Sequence, residues 1–276
     1  MDKISEFVDR EFDGRLIKDF LRIRLALSAT LIKKVKFGGV FVNGEVVTMR
    51  KALSEGDNVE VILPTEDSEF VAPVAEPLTV LYEDEYILAV DKPINMPTHP
   101  SKYNSLVTLA NLVRAYIGAP FVFRAITRLD RDTSGIVLIA KDQISASRLS
   151  AEMKAGKIEK IYTAILKNAP SEREGVIDAP IEREAPESIK RIVREDGKRA
   201  ITKYRVTEIF PDGKAMCEVI LITGRTHQIR VHMAHIGSPL DEDFLYVVST
   251  GKTYFLRCTG LSFTHPKTNE KITIKA

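Results

Sequence analysis

The sequence predicts an α+β protein in which a small N-terminal domain precedes a larger domain built on a mostly antiparallel, mixed sheet. Two observations lead to this prediction. Helical spacing of apolar residues is confined to a few short segments, whereas β-rich runs recur along most of the chain. A stretch with three prolines also separates residues 1–63 from residues 78–276. The chain of 276 residues is long enough for two hydrophobic cores.

The small domain is predicted over residues 1–63, with its core over residues 13–63. Apolar residues at helical spacing begin at Leu16, and a second apolar stripe follows Ser28, a residue type that caps helix N-termini well. The glycines that begin at Gly38 should end this second helix. We therefore expect two short helices in this part of the chain.

A small sheet should pack against these helices. Residues 40–47 alternate around Asn43 and Gly44, and an Asn-Gly pair in such a setting is a strong indication of a β-hairpin. Residues 58–63 predict a further strand.

Positive charge is concentrated in the helix pair, although the formal net charge of the chain is only +2. The basic residues there are Arg15, Lys18, Arg22, Arg24, Lys33, Lys34 and Lys36. The helices and the segment GGVFVNGEVV resemble the αL RNA-binding module of a small-subunit ribosomal protein, tyrosyl-tRNA synthetases and many RNA-modifying enzymes. This resemblance implies that Arg15, Arg22, Lys33 and Lys34 contact RNA phosphates. A generic solvated helix pair is the alternative.

Residues 64–77 contain Pro64, Pro73 and Pro77 among acidic and small residues, which predicts a linker. In the larger domain, strands are predicted at 79–82, 86–90, 136–140, 161–166, 201–210 and 215–222. Helices are predicted near 106–116 and 145–153. The turn at Pro211-Asp212-Gly213 should join two long strands as a hairpin.

Several classes of protein are disfavoured by the composition. The N-terminus is acidic, and there is no apolar run long enough to cross a bilayer, so a cytoplasmic protein is expected. Cys217 and Cys258 are isolated and are expected to be buried. Three histidines, His227, His232 and His235, lie close together but lack a zinc-binding motif. We expect them to serve packing and hydrogen bonding, and we expect no metal site.

Charged and small polar residues immediately precede the apolar strand IVLIA, in the segment RLDRDTSG. This places Asp130 and Asp132 in a loop that leads into the sheet, a common position for reactive groups. The residues alone leave three interpretations open. The carboxylates could bind Mg²⁺, one could be a catalyst with the other beside it, or both could cap backbone amides.

Three segments in order, RLDRDTSGIVLIAK, KIYTAIL and TGRTHQIRVHMAHIGSPL, resemble the RluA-like pseudouridine synthase family, and weaker similarity extends over nearly all of residues 78–273. The resemblance implies an enzyme that isomerises uridine to pseudouridine in structured RNA. Large-subunit ribosomal RNA is the leading expectation and tRNA the next. Neither a nucleotide nor a redox cofactor is expected, because the reaction only moves the ribose from one ring atom of uracil to another. A monomer is assumed by default.

The resemblance also assigns roles to individual residues. It makes Asp130 the catalytic carboxylate, Tyr162 the active-site tyrosine and Arg225 the arginine that pairs with Asp130. It places Arg128 next to the target nucleotide and Lys198 on the RNA path. The carboxylate could attack the anomeric carbon or remove a ribose proton, and the sequence does not choose between them. Each of these residues also has an alternative interpretation. These are core packing for Tyr162, a structural ion pair for Arg225, a surface salt bridge for Arg128 and a solvated loop for Lys198.

Three positions depart from the usual family pattern: Thr127, Glu242 and Arg257. Histidine, glycine and histidine, respectively, are frequent there, so these departures bear on target specificity. The main alternative function is a catalytically silent RNA-binding or ribosome-assembly protein on the same fold. A glycosidase is disfavoured because no second catalytic carboxylate is apparent.

Overall fold

The computed structural model describes residues 3–64, 66, 71–100 and 106–276. Within these residues the chain forms two main sheets, one near the N-terminus and a larger one over the rest of the chain. Residues 65 and 67–70 of the predicted linker lie outside the described residues. No helix in the described ranges is long and apolar enough to span a bilayer.

The N-terminal sheet has the strand order β1-β4-β2-β3 and is antiparallel. Its strands are β1 (Lys3–Phe7), β2 (Val40–Val42), β3 (Glu45–Val46) and β4 (Asn58–Ile62), and its helices are α1 (Ile17–Ile23) and α2 (Ala29–Val35). The predicted helices and hairpin are therefore present. Ser28 caps α2 by accepting a hydrogen bond from the Leu31 amide at 3.2 Å. Asn43 and Gly44 have φ values of 51° and 84°, as the hairpin turn requires.

Strand β1 was not predicted, and it extends the N-terminal core toward the start of the chain. It pairs with β4 along its full length, and Val8 and Phe12 are buried in the same apolar cluster as the helices. Phe12 packs edge-on against Phe20, with ring centroids 5.1 Å apart. A core that starts at residue 13 is therefore too short. The error arose because the strand alternates between half-buried and exposed positions and carries charged residues.

The larger sheet has the order β10-β13-β14-β9-β15-β8-β6-β5, with β16 paired to β15 and β7 paired to β8. The first strands are β5 (Thr79–Glu83), β6 (Ile87–Lys92), β7 (Arg124–Ala125), β8 (Ser134–Ala140) and β9 (Glu159–Leu166). The later strands are β10 (Glu174–Asp178), β13 (Ile201–Ile209), β14 (Ala215–Leu221), β15 (Leu256–Thr264) and β16 (Lys271–Lys275). Strands β11 (Ile181–Arg183) and β12 (Arg191–Val193) form a separate hairpin. The helices are α3 (Leu109–Ile117), α4 (Gln143–Lys154) and α5 (Gln228–His235).

Neighbouring strands of this sheet are antiparallel except for β8 and β15, which are parallel, so the predicted mostly antiparallel mixed sheet is confirmed. The parallel pair depends on Gly135. This residue has φ of 109°, and a Cβ atom on it would lie 2.2 Å from the carbonyl oxygen of Cys258. Glycine therefore lets the start of β8, and with it the loop that carries Asp130, lie close to the strands that follow.

Helix α4 connects the two parts of the chain. The side chain of Gln143 donates to the carbonyl of Pro64 at 2.7 Å, and the Ser147 hydroxyl donates to the carbonyl of Ala26 at 2.7 Å. Ile144 packs against the N-terminal apolar cluster. One face of this helix therefore contacts the N-terminal part directly.

Candidate active site

Asp130 lies in a tight turn just before β8, where the Thr133 amide donates to its carbonyl at 3.2 Å. The preceding residue, Leu129, is buried. Its backbone is held from both sides by Thr98, whose hydroxyl accepts from the Leu129 amide at 3.2 Å and donates to the Leu129 carbonyl at 2.8 Å. The Asp130 side chain itself is 37% exposed. The loop is thus fixed while the carboxylate remains accessible.

Lys92, at the end of β6, binds the backbone of the same loop. Its ammonium group is buried and donates to three backbone carbonyls, those of Pro93, Met96 and Arg131. Burial lowers the pKa of Lys92 to about 8, and the carboxylates of Asp130 and Asp132 oppose that shift. A buried positive charge therefore lies beneath the carboxylate loop.

Asp132 does not share the environment of Asp130. It is buried and forms a bidentate ion pair with Arg131, at 2.8 and 3.0 Å. In the described part of the chain there is also no group of three or more acidic, histidine or cysteine side chains that could hold a metal ion. Of the two carboxylates in the loop, Asp130 is the one left open to a ligand.

Tyr162 lies in the middle of β9 and is buried in the main apolar core. It is the cross-strand neighbour of Cys258, itself buried like Cys217, as predicted. Burial raises the pKa of Tyr162 well above its ordinary value, and Cys258 and the Asp130 carboxylate act in the same direction. The phenol is therefore kept protonated, in the electrostatic field of Asp130.

Arg225 does not pair with Asp130. Its side chain is exposed, and its Nε donates to the backbone carbonyl of Arg199 at 3.0 Å. Its amide donates to the Gln228 side chain at 2.9 Å. The predicted ion pair is absent because Arg225 lies in the loop before α5, where its side chain donates to the carbonyl of Arg199, just before β13, and not to the carboxylate.

Arg230, the second arginine of the segment TGRTHQIRVHMAHIGSPL, lies inside α5 and interacts electrostatically with Asp130. It forms a bidentate ion pair with Asp243, at 2.7 and 2.6 Å, and both side chains are buried. Its guanidinium lies 4.6 to 5.6 Å from the ring centroids of three aromatic residues, Tyr254, Phe244 and Tyr246. Burial opposes the charge of Arg230, but Asp243, Tyr254 and Asp130 together outweigh burial, so the pKa of Arg230 is raised.

His227 is the one basic side chain among the described residues that lies within 4.0 Å of the Asp130 carboxylate. Its Nε2 lies 3.9 Å from Asp130 Oδ2, too far for a hydrogen bond, and its Nδ1 is buried without a hydrogen-bond partner among the described residues. Its backbone has φ of 56°, a left-handed conformation at the N-cap of α5. Burial lowers the pKa of His227, and Asp130 opposes that shift. A neutral imidazole at neutral pH is the consequence.

His232 serves packing and hydrogen bonding, as the sequence predicts. His232 is buried, with Nδ1 2.8 Å from the Thr202 hydroxyl and Nε2 2.9 Å from the Ala179 carbonyl. These contacts use both ring nitrogens, so the ring is engaged in packing and hydrogen bonds.

The residues predicted to bind RNA are at the surface. Arg128 is exposed and makes no hydrogen bond or ion pair with any residue that the structure describes. Lys198 is exposed next to Arg199, whose carbonyl accepts from Arg225. The predicted RNA-binding residues of the N-terminal part, Arg15, Arg22, Lys33 and Lys34, are all exposed. Lys34 pairs with Glu66, whereas the other three have no ion-pair partner within the described ranges.

The three departures from the usual pattern each have a partner in the structure. The Thr127 hydroxyl accepts from the Leu138 amide at 2.9 Å, and Arg257 pairs with Asp91 at 2.7 Å. Glu242 has a positive φ of 62°, and its carboxylate accepts from the amide and hydroxyl of Thr250 and from the Ser249 hydroxyl. Glu242 thereby fixes the loop that carries its neighbour Asp243.

Comparison with known proteins identifies the family. A family model described as RNA pseudouridylate synthase matches residues 86–235, more than half of the chain. The chain belongs to the RNA pseudouridylate synthase family. It is therefore an isomerase that acts on RNA, as the sequence predicts.

Two bacterial relatives illustrate the similarity. An uncharacterised RNA pseudouridine synthase of Bacillus subtilis, YjbO, is 38% identical over 260 residues, which cover 91% of this chain and 92% of that protein. The ribosomal large subunit pseudouridine synthase D of Xanthomonas campestris pv. campestris is 38% identical over 243 residues, which cover 86% of this chain and 71% of that protein.

A solved structure agrees with the synthase fold. The human RNA pseudouridylate synthase domain containing 1 superposes with a TM-score of 0.61 at 24% identity, covering 73% of this chain and 83% of that one. The predicted α+β class of this synthase is confirmed.

Arg230 and His227 were missed by the sequence reasoning, although both lie in the quoted segment TGRTHQIRVHMAHIGSPL. That segment contains two arginines, and the first was selected. In the structure Arg230 falls within α5 and is buried, whereas Arg225 lies in the loop before it and is exposed. The motif itself does not distinguish the two arginines.

Proposed function

We propose that this synthase converts uridine to pseudouridine in large-subunit ribosomal RNA, with Asp130 as the carboxylate that acts on the ribose. The observation that carries the proposal is the convergence of charged and polar side chains on Asp130 from separate parts of the chain. These side chains are Lys92, Tyr162, His227, Arg230 and Tyr254. Perturbed ionisable groups around one accessible carboxylate are characteristic of a catalytic site.

The reaction needs few groups. The bond between uracil N1 and the ribose breaks, the uracil turns, and the ribose joins carbon 5, which then loses its proton while N1 gains one. An ionised Asp130 can attack the anomeric carbon or remove the neighbouring ribose proton, and the geometry is compatible with both. Tyr162, whose phenol stays protonated, offers a ring face for the uracil and a hydroxyl that can donate a hydrogen bond.

Arg230 takes the role that the sequence assigned to Arg225. It is buried, it is fixed by Asp243, and Asp130 is among the charges that raise its pKa, so it is suited to hold a positive charge within the field of the carboxylate. Arg225 is suited to a different role. It is exposed near Lys198, and with Arg128 it can contact the phosphates of the bound RNA.

Residues 1–63 are proposed to be an RNA-binding domain, residues 64–77 a linker and residues 78–276 the catalytic domain. Arg15, Arg22 and Lys33 support the first of these assignments, because they are exposed and have no ion-pair partner among the described residues. Large-subunit RNA is favoured because relatives with this target in their names are up to 38% identical. We propose that the enzyme acts as a monomer in the cytoplasm.

The target assignment is tested by incubating the purified protein with separate transcripts of large-subunit ribosomal RNA and of tRNA, followed by chemical mapping of pseudouridine. The proposal predicts discrete modified uridines in the ribosomal transcript and none in tRNA. Modification of tRNA alone would replace the target. Tight RNA binding without modification of either transcript would favour the silent RNA-binding protein instead.

A further inference from the structure

Phe37 is an aromatic side chain that the fold leaves in water. It lies in the turn between α2 and β2 and is 84% exposed, whereas Leu31, Val35 and Val40 on either side of it are buried. The chain reverses at the next residue, Gly38, which has φ of 81°. The turn therefore presents the ring outward next to a well-packed apolar cluster.

The surroundings of this ring are basic. Lys36 places its ammonium 5.0 Å from the centroid of the Phe37 ring, and Lys33 lies one helical turn earlier on α2. Both lysines are exposed, and neither has an ion-pair partner among the residues that the structure describes. Lysine is depleted at protein–protein interfaces, so this surface does not suit an apolar protein partner.

We propose that Phe37 stacks on an unpaired base of the RNA substrate, while Lys33 and Lys36 contact the phosphates of the adjoining strand. Aromatic side chains in basic surroundings bind single-stranded nucleotides in this way, because every base has a face that can stack on a ring. Paired bases are covered by their neighbours in the helix, so the partner is a bulged or looped nucleotide. This inference rests on the proposed RNA-binding role of residues 1–63.

The test compares binding of two stem-loop RNAs that differ only in one bulged nucleotide, which is a fluorescent adenine analogue quenched by stacking. The full-length protein is compared with Phe37→Leu, which keeps an apolar side chain, and with Phe37→Tyr, which keeps the ring. Phe7→Leu is the matched control, because Phe7, at the end of β1, is also exposed, at 68%, but lies near Glu6 and Asp9 in the chain.

We expect Phe37→Leu to weaken binding of the bulged RNA roughly tenfold and to lose the fluorescence quenching. Its binding to the fully paired RNA and its salt dependence should stay unchanged. Phe37→Tyr and Phe7→Leu should resemble the wild type. If the wild type modifies the bulged RNA and Phe37→Leu binds it with the same affinity and the same quenching, the stacking proposal is overturned. The RNA-binding role of residues 1–63 would not be affected by that result. Failure of the wild type to bind either RNA would overturn the RNA-binding role of residues 1–63 as well.

Discussion

The guanidinium of Arg230 and the carboxylate of Asp243 form a bidentate ion pair whose side chains are only 3% and 0% exposed. Two hydrogen bonds, at 2.7 and 2.6 Å, fix the planar guanidinium against the ring of Tyr254. The pair connects α5 with the loop that Glu242 holds in place. The position of the buried cation near Asp130 therefore depends on the integrity of this pair.

Replacement of Asp243 by alanine should lower the free energy of unfolding by about 3–5 kcal/mol, because it leaves a buried guanidinium without its counter-charge. Urea denaturation measures the change. Glu218→Ala is the control, since Glu218 pairs with Arg205 at the surface and should contribute less than about 1 kcal/mol. Similar losses in the two variants would show that the buried pair has no special role.

Arg230→Lys should lower kcat roughly 30-fold or more, corresponding to about 2 kcal/mol, because lysine keeps the charge but loses the planar two-pronged contact. Arg225→Lys should leave kcat within a few-fold. Single-turnover kinetics with saturating enzyme separate this effect from RNA affinity. A larger loss of kcat in Arg225→Lys would restore the role that the sequence assigned to Arg225.

Gly135→Ala should destabilise the protein by roughly 2 kcal/mol or more, because the new Cβ would collide with the backbone of Cys258 at a position with positive φ. Thermal unfolding measures the effect. Gly213→Ala also has a positive φ but open space around the added atom, so its loss should be smaller. Equal melting temperatures for the two variants would mean that the β8–β15 contact adjusts easily.

The elements of the fold that could be predicted are those with strong local sequence patterns. Helices α1 and α2 and the hairpin at Asn43-Gly44 were predicted, because apolar spacing, a serine cap and a turn pair act together there. Strands β7, β10, β11, β12, β15 and β16 were not predicted. Strands β7, β10, β11 and β12 are short and mostly exposed or only partly buried, so they lack a clear apolar alternation. Strand β15 does alternate between buried and partly buried residues, so a local pattern for it was present in the sequence.

The candidate site was predicted in its parts but not in its arrangement. Asp130 and Tyr162 were assigned from the motifs. Their separation in the sequence does not predict that the two side chains interact in the folded protein. The choice between Arg225 and Arg230 depends on where α5 begins. His227 lies close to Asp130 because His227 is the N-cap of α5 and has a left-handed backbone conformation. Both features arise from tertiary packing, which no short motif encodes.

Stability should fall as the pH decreases below about 6.5, the ordinary value for histidine. Burial lowers the pKa of His232 and of His227 in the folded protein. Above pH 6.5 both states hold neutral rings, and below it the unfolded chain takes up protons that the folded protein resists. Each such proton contributes a slope of up to about 1.4 kcal/mol per pH unit until the folded pKa is reached.

Urea denaturation from about pH 7.5 to about pH 5 tests this dependence. His232→Gln should reduce the slope, because it removes a group whose pKa is lowered by burial in the folded protein. A slope in His232→Gln equal to that of the wild type would assign the acid sensitivity to other groups.

The most direct test of the central claim is release of tritium from carbon 5 of uridine-labelled large-subunit ribosomal RNA, comparing the wild type with Asp130→Asn. We expect release by the wild type and none by the variant, while RNA affinity stays within a few-fold. Release by Asp130→Asn at a rate close to that of the wild type would contradict the assignment of Asp130 as the catalytic carboxylate.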